Sequence, residues 1–193
     1  MKLLAFDTET TGLPKNYLDV VPEKWPHLVQ FSWVLYDTDT HKCSFHDYII
    51  NCPISIPEES TQIHKITQSM NKQQGYDFAD IFSIFVECEK QCDLLIAHNY
   101  NFDKNMVSVE CMRLNIPHSF EKPWYCTMVT SRHLNQGKWP KLTWLHQFFF
   151  QEEPKNLHNS LIDVMVCIRC YMKIMYNIDI CDKVKGFKKK LGI

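Results

Sequence analysis

Short apolar runs broken by carboxylates set the pattern of the first half of the chain. Leu3–Phe6 reads as a buried strand whose end meets a polar site, because Asp7 and Glu9 follow it directly. Val29–Tyr36 (VQFSWVLY) and Phe45–Ile50 (FHDYII) are rich in β-branched and aromatic residues and predict two more strands, joined by the polar turn Asp37–Lys42. Residues 14–27 carry Pro14, Pro22 and Pro26, which remove ladder donors and predict a surface loop. Phe78, Ile81, Phe82, Phe85 and Val86 recur at helical spacing within 78–88, and Leu94–Ala97 after them is a compact apolar strand. Residues 103–114 and 160–176 read as amphipathic helices. Three early antiparallel strands followed by alternating helix and strand predict an α/β domain, a mixed sheet with helices on its faces.

Composition narrows the class. The 193 residues, at 22.9 kDa, make one domain, which buries roughly 70% of the surface its unfolded chain exposes. Lys and Arg number 21 against 22 Asp and Glu, a net charge of −1, so any nucleic-acid partner must be held by local patches or metal ions. An apolar content of 45% without a long uncharged run argues against disorder and against a membrane span. The N-terminus reaches Asp7 after too few apolar residues for a secretory signal, and nine cysteines without framework spacing fit a reducing compartment, cytoplasm or nucleus. Cys88/Cys92 and Cys167/Cys170 fall on predicted helices and read as core thiols, since no second pair completes a zinc site. The five lysines between Lys183 and Lys190 read first as a solvated end and second as a phosphate-tracking patch.

The candidate chemistry is acidic. Strand alternation points Asp7 and Glu9 to one face, where two close carboxylates repel unless a cation sits between them. A hard divalent ion such as Mg²⁺ or Mn²⁺ suits such oxygens; a surface pair or turn acids are the plainer reading of this spacing alone. Thr10-Thr11-Gly12-Leu13 continues into a loop that lets backbone approach a ligand. After the strand at 94–97, Asn101 is the expected N-cap and Asp103 a first-turn acid. Ser160 is the expected N-cap of the long helix, which sets Asp163 at N3 and leaves His158 in the preceding loop.

Taken together, FDTETTGL (6–13), HNYNFD (98–103) and HNSLID (158–163) resemble the DEDDh subgroup of the DnaQ-like 3′→5′ exonucleases, within the ribonuclease-H-like superfamily. His158 stands five residues before Asp163, the DEDDh spacing. Ile63–Thr67 resembles the family's His-Gly-Ile-Thr segment, with Lys65 in place of glycine, and Cys126-Thr127-Met128 resembles Asp-Thr-Leu. The similarity spans about residues 3–176, so the expected division is an exonuclease domain at 1–176 and a short basic tail at 177–193.

The resemblance implies a five-stranded ribonuclease-H-like sheet and a metal-dependent 3′→5′ exonuclease that releases nucleoside 5′-monophosphates from single-stranded DNA or RNA. It implies two Mg²⁺ or Mn²⁺ ions, one on Asp7, Glu9 and Asp163 and the second on Asp7 with Asp103. His158 would be the general base. Thr8, Thr10, Thr11, Leu13, His64 and Asn99 would contact substrate, Leu13 as a wedge against the terminal base. Trp25 and Trp139 are candidate stacking residues whose plainer role is packing. The alternatives are a proofreading subunit dependent on a polymerase or a second copy, and a non-catalytic nucleic-acid-binding module. The second sits poorly with a full set of acids.

Overall fold

The computed structural model describes residues 1–155 and 158–193. Strands β1 (Lys2–Thr10), β2 (Leu28–Asp37), β3 (Cys43–Ile49), β4 (Leu94–Ala97) and β5 (Trp124–Cys126) form one sheet in the order β3-β2-β1-β4-β5. The first three are antiparallel, while β4 and β5 run parallel to β1. This is the expected mixed sheet, with β1 at its centre.

Strand β1 runs past its apolar stretch to Thr10, because Asp7, Thr8 and Glu9 keep pairing with Ser32, Phe31 and Gln30 until a bulge at Glu9/Thr10. Alternation assigns its two faces. Leu4 and Phe6 join Phe31 and Trp33 under helices α3 (Phe78–Gln91) and α4 (Tyr100–Arg113). Phe85 of α3 seals that layer against Phe31 and Trp33, with ring centroids 4.9 and 5.4 Å away. Leu3 and Ala5 face the other way, with Val34 and Tyr36, against α6 (Leu142–Phe150) and α7 (Ser160–Tyr176). Asp7 and Glu9 therefore emerge on the α7 face. Two short helices, α1 (Glu58–His64) and α2 (Gln68–Gln74), lie in the connection between β3 and α3, and α5 (Thr127–Thr130) follows β5.

Two helix starts differ from expectation. Helix α4 begins at Tyr100, because Asn99 takes the left-handed conformation (φ 77°) that asparagine tolerates, so Asn101 lies inside the helix. In α7 the cap is Asn159, whose side chain accepts from the Ile162 N–H, and Ser160 is the first helical residue. The chain beyond Tyr176 exposes its lysines but is not a solvated end throughout. Ile180, Val184, Phe187 and Leu191 recur at helical spacing and are buried in the α7 layer, the last two on α8 (Phe187–Leu191). All nine cysteines are free thiols, and Cys167 and Cys170 are core residues of α7. Among the described residues no helix is long and apolar enough to cross a membrane.

Candidate active site

Asp7 and Glu9 leave β1 on the face that α7 covers, and Asp163 stands in the first turn of α7. One carboxylate oxygen from each lies within 4.8 Å of the other two. Asp103 is outside this trio. It reaches the site from α4 and is held by Thr8, whose N–H and hydroxyl both donate to Oδ1, at 3.1 and 2.8 Å. These two donors lower the Asp103 pKa, but burial outweighs them and leaves it at about 7.

The remaining acids follow the same electrostatics. Burial, then the charges of Asp163 and Asp103, pushes Glu9 up to about 8. Burial raises Asp163 to about 7, opposed by a backbone hydrogen bond from His158. Asp7 is raised well above the carboxylate range by burial and then by Asp103, Asp163 and Glu9. No lysine or arginine among the described residues pairs with any of the four. Four acids crowded in this way lack a counter-charge. Hard oxygen donors at this spacing fit a divalent cation of the Mg²⁺ or Mn²⁺ type better than a soft one.

The other expected residues divide into two groups. Three hydroxyls are committed inside the protein: Thr8 to Asp103, Thr10 to the Gly12 carbonyl at 2.6 Å, and Thr11 as acceptor from the His27 N–H at 2.9 Å. Leu13, 74% exposed beyond them, is the loop's free side chain. His158 and His64 both open onto a cleft of about 760 Å³, lined also by Gln30, Lys65 and Tyr76. The His64 tautomer is set by the Ile66 N–H, which donates to Nδ1 at 3.1 Å; Nε2 then carries the hydrogen and has no partner among the described residues. Burial keeps this imidazole below its ordinary pKa, hence neutral. Trp25 is buried, with its indole N–H on the Asp19 carbonyl, whereas Trp139 is exposed under Arg132.

Three non-glycine residues of the site are left-handed: Lys65 (φ 64°), Asn99 (φ 77°) and His158 (φ 69°). Each ends or precedes a helix that carries site residues, and such positions cost energy that the surrounding fold must hold in place. Lys65 thus adopts at the end of α1 the geometry for which glycine is suited, so its replacement leaves the backbone turn in place. Sequence reasoning missed two residues. Gln30 accepts from the Ser160 N–H, and the Ser160 hydroxyl donates to the Asp7 carbonyl. Two polar residues at successive inward positions of β2, Gln30 and Ser32, were the available signal for the first.

The family model RNase_T, described as Exonuclease, matches residues 4–171. No curated protein matches the chain. Among solved structures, the nuclease domain of 3′hExo, a DEDDh family member bound to rAMP, superposes with a TM-score of 0.73 at 16% identity over 92% of this chain and 93% of that one. Exonuclease X in complex with 5′ overhanging duplex DNA gives 0.62 at 19% identity, over 96% and 98%. The zinc-bound ExoI–ssDNA complex of E. coli gives 0.66 at 13% identity, over 91% of this chain and 41% of that one. With the family model spanning nearly the whole chain, this protein belongs to the DnaQ-like exonuclease family of ribonuclease-H-like fold.

Proposed function

We propose that this protein is a metal-dependent 3′→5′ exonuclease of the DEDDh type that shortens single-stranded DNA or RNA and releases nucleoside 5′-monophosphates. The observation that carries this reading is the meeting of Asp7, Glu9 and Asp163, paired with no lysine or arginine among the described residues, with Asp103 beside them and His158 immediately ahead of α7. Asp7, Glu9 and Asp163 would hold one divalent ion, and Asp7 with Asp103 a second. Two such ions stabilise the attacking and leaving oxygens of an in-line displacement at phosphorus.

The chain's own residues supply the rest. Leu13 bears on the terminal base and sets how far the strand enters. The His64 Nε2–H, buried beside the cleft without a partner among the described residues, would donate to a substrate oxygen once the ring turns toward it. Lys65 at the cleft mouth can face a phosphate. Asn99, at the start of α4, borders the substrate beside Asp103. His158 takes the proton of the attacking water as the new P–O bond forms. The P–O3′ bond breaks, the 3′ oxygen leaves on the shortened strand and takes a proton from solvent, and the terminal nucleotide departs as its 5′-monophosphate.

The test is a gel assay of 5′-labelled single-stranded DNA and RNA of matched sequence with Mg²⁺, beside the Asp7→Ala protein. The expected result is a ladder shortening from the 3′ end, absent in the variant. Internal cuts would contradict the terminal mode. No cleavage with binding intact would point to a binding module or a partner-dependent subunit.

A further inference from the structure

We propose that Gln30 is a positioning residue for this hydrolysis, tying the first turn of α7 to β2 and β3 and so setting where Asp163 and His158 stand relative to Asp7 and Glu9. The inference rests on the reading above. Gln30 lies opposite Glu9 in the β1–β2 register and is 3% exposed. Its amide bonds at both ends: Oε1 accepts from the Ser160 N–H at 3.2 Å, and Nε2 donates to Asp47 Oδ1 of β3 at 2.7 Å. Ser32 Oγ donates to the same oxygen at 2.8 Å.

One end meets a donor and the other a carboxylate, so the amide is held in one orientation and neither a carboxylate nor a hydrocarbon of the same length can serve both. The Ser160 N–H is one of the donors that a helix start leaves without an intrahelical partner, and a buried one must find an acceptor outside the helix. Ser160 Oγ adds a second tie, donating to the Asp7 carbonyl at 2.8 Å. Asp163 follows Ser160 within one turn, and His158 precedes it by two residues. A shift at Ser160 therefore moves both against the acids of β1. Along this face of β2 the next inward position, Ser32, donates to the same Asp47 oxygen, and only Val34 beyond it is hydrocarbon, so the polar pair Gln30 and Ser32 is confined to the end of the strand that meets α7.

The test compares Gln30→Met with the double variant Gln30→Glu/Asp47→Asn, which keeps an acceptor for Ser160 and restores a donor–acceptor pair at the outer end. Measured are kcat and KM on a single-stranded oligonucleotide, Mn²⁺ affinity by calorimetry, amide exchange at Ser160, and the melting temperature. For Gln30→Met the expectation is a kcat lowered about tenfold to a hundredfold with KM within about twofold, weaker Mn²⁺ binding and faster Ser160 exchange. The double variant should keep kcat within about threefold and slow exchange. A Gln30→Met protein with wild-type kcat and exchange would overturn the proposal. If that variant does not fold, the double variant decides: a tenfold loss of kcat at a wild-type melting temperature also overturns it. Should the wild type degrade no nucleic acid, the functional reading fails, and Mn²⁺ affinity with Ser160 exchange still judges Gln30.

Discussion

Replacing Asp163 with asparagine should make the metal-free protein more stable at pH 8 while removing its hydrolysis. In the unfolded chain this carboxyl titrates near 3.8, and in the folded protein burial raises it to about 7. Below about pH 4 both states hold the proton and the group is neutral in its effect. Between about 4 and 7 the folded state keeps a proton that the unfolded state has released, so stability falls as pH rises through this window, and above it the folded protein carries the full penalty. A rise from 3.8 to about 7 corresponds to about 4 kcal/mol. Asp7, Glu9 and Asp103 share the site, and one of them can take up the proton instead, so a single substitution recovers about half, ~2 kcal/mol. For a domain of this size that is a gain of about 4–8 °C.

Asparagine keeps an oxygen for the His158 N–H and loses only the charge. Melting curves in EDTA at pH 5 and pH 8 read the effect, since the gain should be large at pH 8 and small at pH 5. Mn²⁺ should reverse the order, because an ion bound at a hundred times its Kd stabilises the wild type by about 2.7 kcal/mol. A variant that melts at or below the wild type at pH 8 in EDTA, or one equally stabilised at pH 5, would refute the reasoning.

Further predictions follow from the same geometry. His158→Ala should lose most of the rate yet keep its Mn²⁺ affinity by calorimetry, because His158 is cast as base and not ligand; lost metal binding would overturn that division. EDTA should abolish hydrolysis and Mg²⁺ or Mn²⁺ restore it, so turnover in metal-free buffer would contradict the assignment. Thr8→Val removes a hydroxyl that lowers the Asp103 pKa, and the acid limb of the pH–rate profile should move to higher pH; an unmoved limb would remove Asp103 from the reaction. Lys65→Gly relieves a left-handed lysine and should raise stability by about 0.5–1 kcal/mol in a thermal melt, net of glycine's extra freedom in the unfolded chain.

The sheet was legible because runs rich in β-branched and aromatic residues, such as VQFSWVLY, mark its strands, and the acids because they stand at element ends, Asp7 and Glu9 after an apolar run and Asp103 and Asp163 in the first turns of α4 and α7. Strand β1 is longer than its hydrophobic run, since backbone pairing with β2 is indifferent to the side chains of Asp7 and Glu9. The start of α4 was displaced by a left-handed asparagine, a choice that propensity ranks too weakly to locate. The commitment of Thr8 to Asp103 and the bridge from Gln30 to Ser160 join residues 95 and 130 positions apart, and no local pattern carries such distances. The lysine-rich end hid its burial in the same way. Its charge dominated a spacing of Val184, Phe187 and Leu191 that the α7 layer covers.

The central claim is that these carboxylates hold the divalent ions at which a strand end is cut. Its most direct test is an anomalous difference map at the manganese edge, from crystals of the protein grown with Mn²⁺ and a nucleoside 5′-monophosphate. The account predicts a peak bounded by oxygens of Asp7, Glu9 and Asp163, with the nucleotide phosphate beside it. A nucleotide bound without any peak there, or manganese held elsewhere while these three acids stay bare, would contradict it.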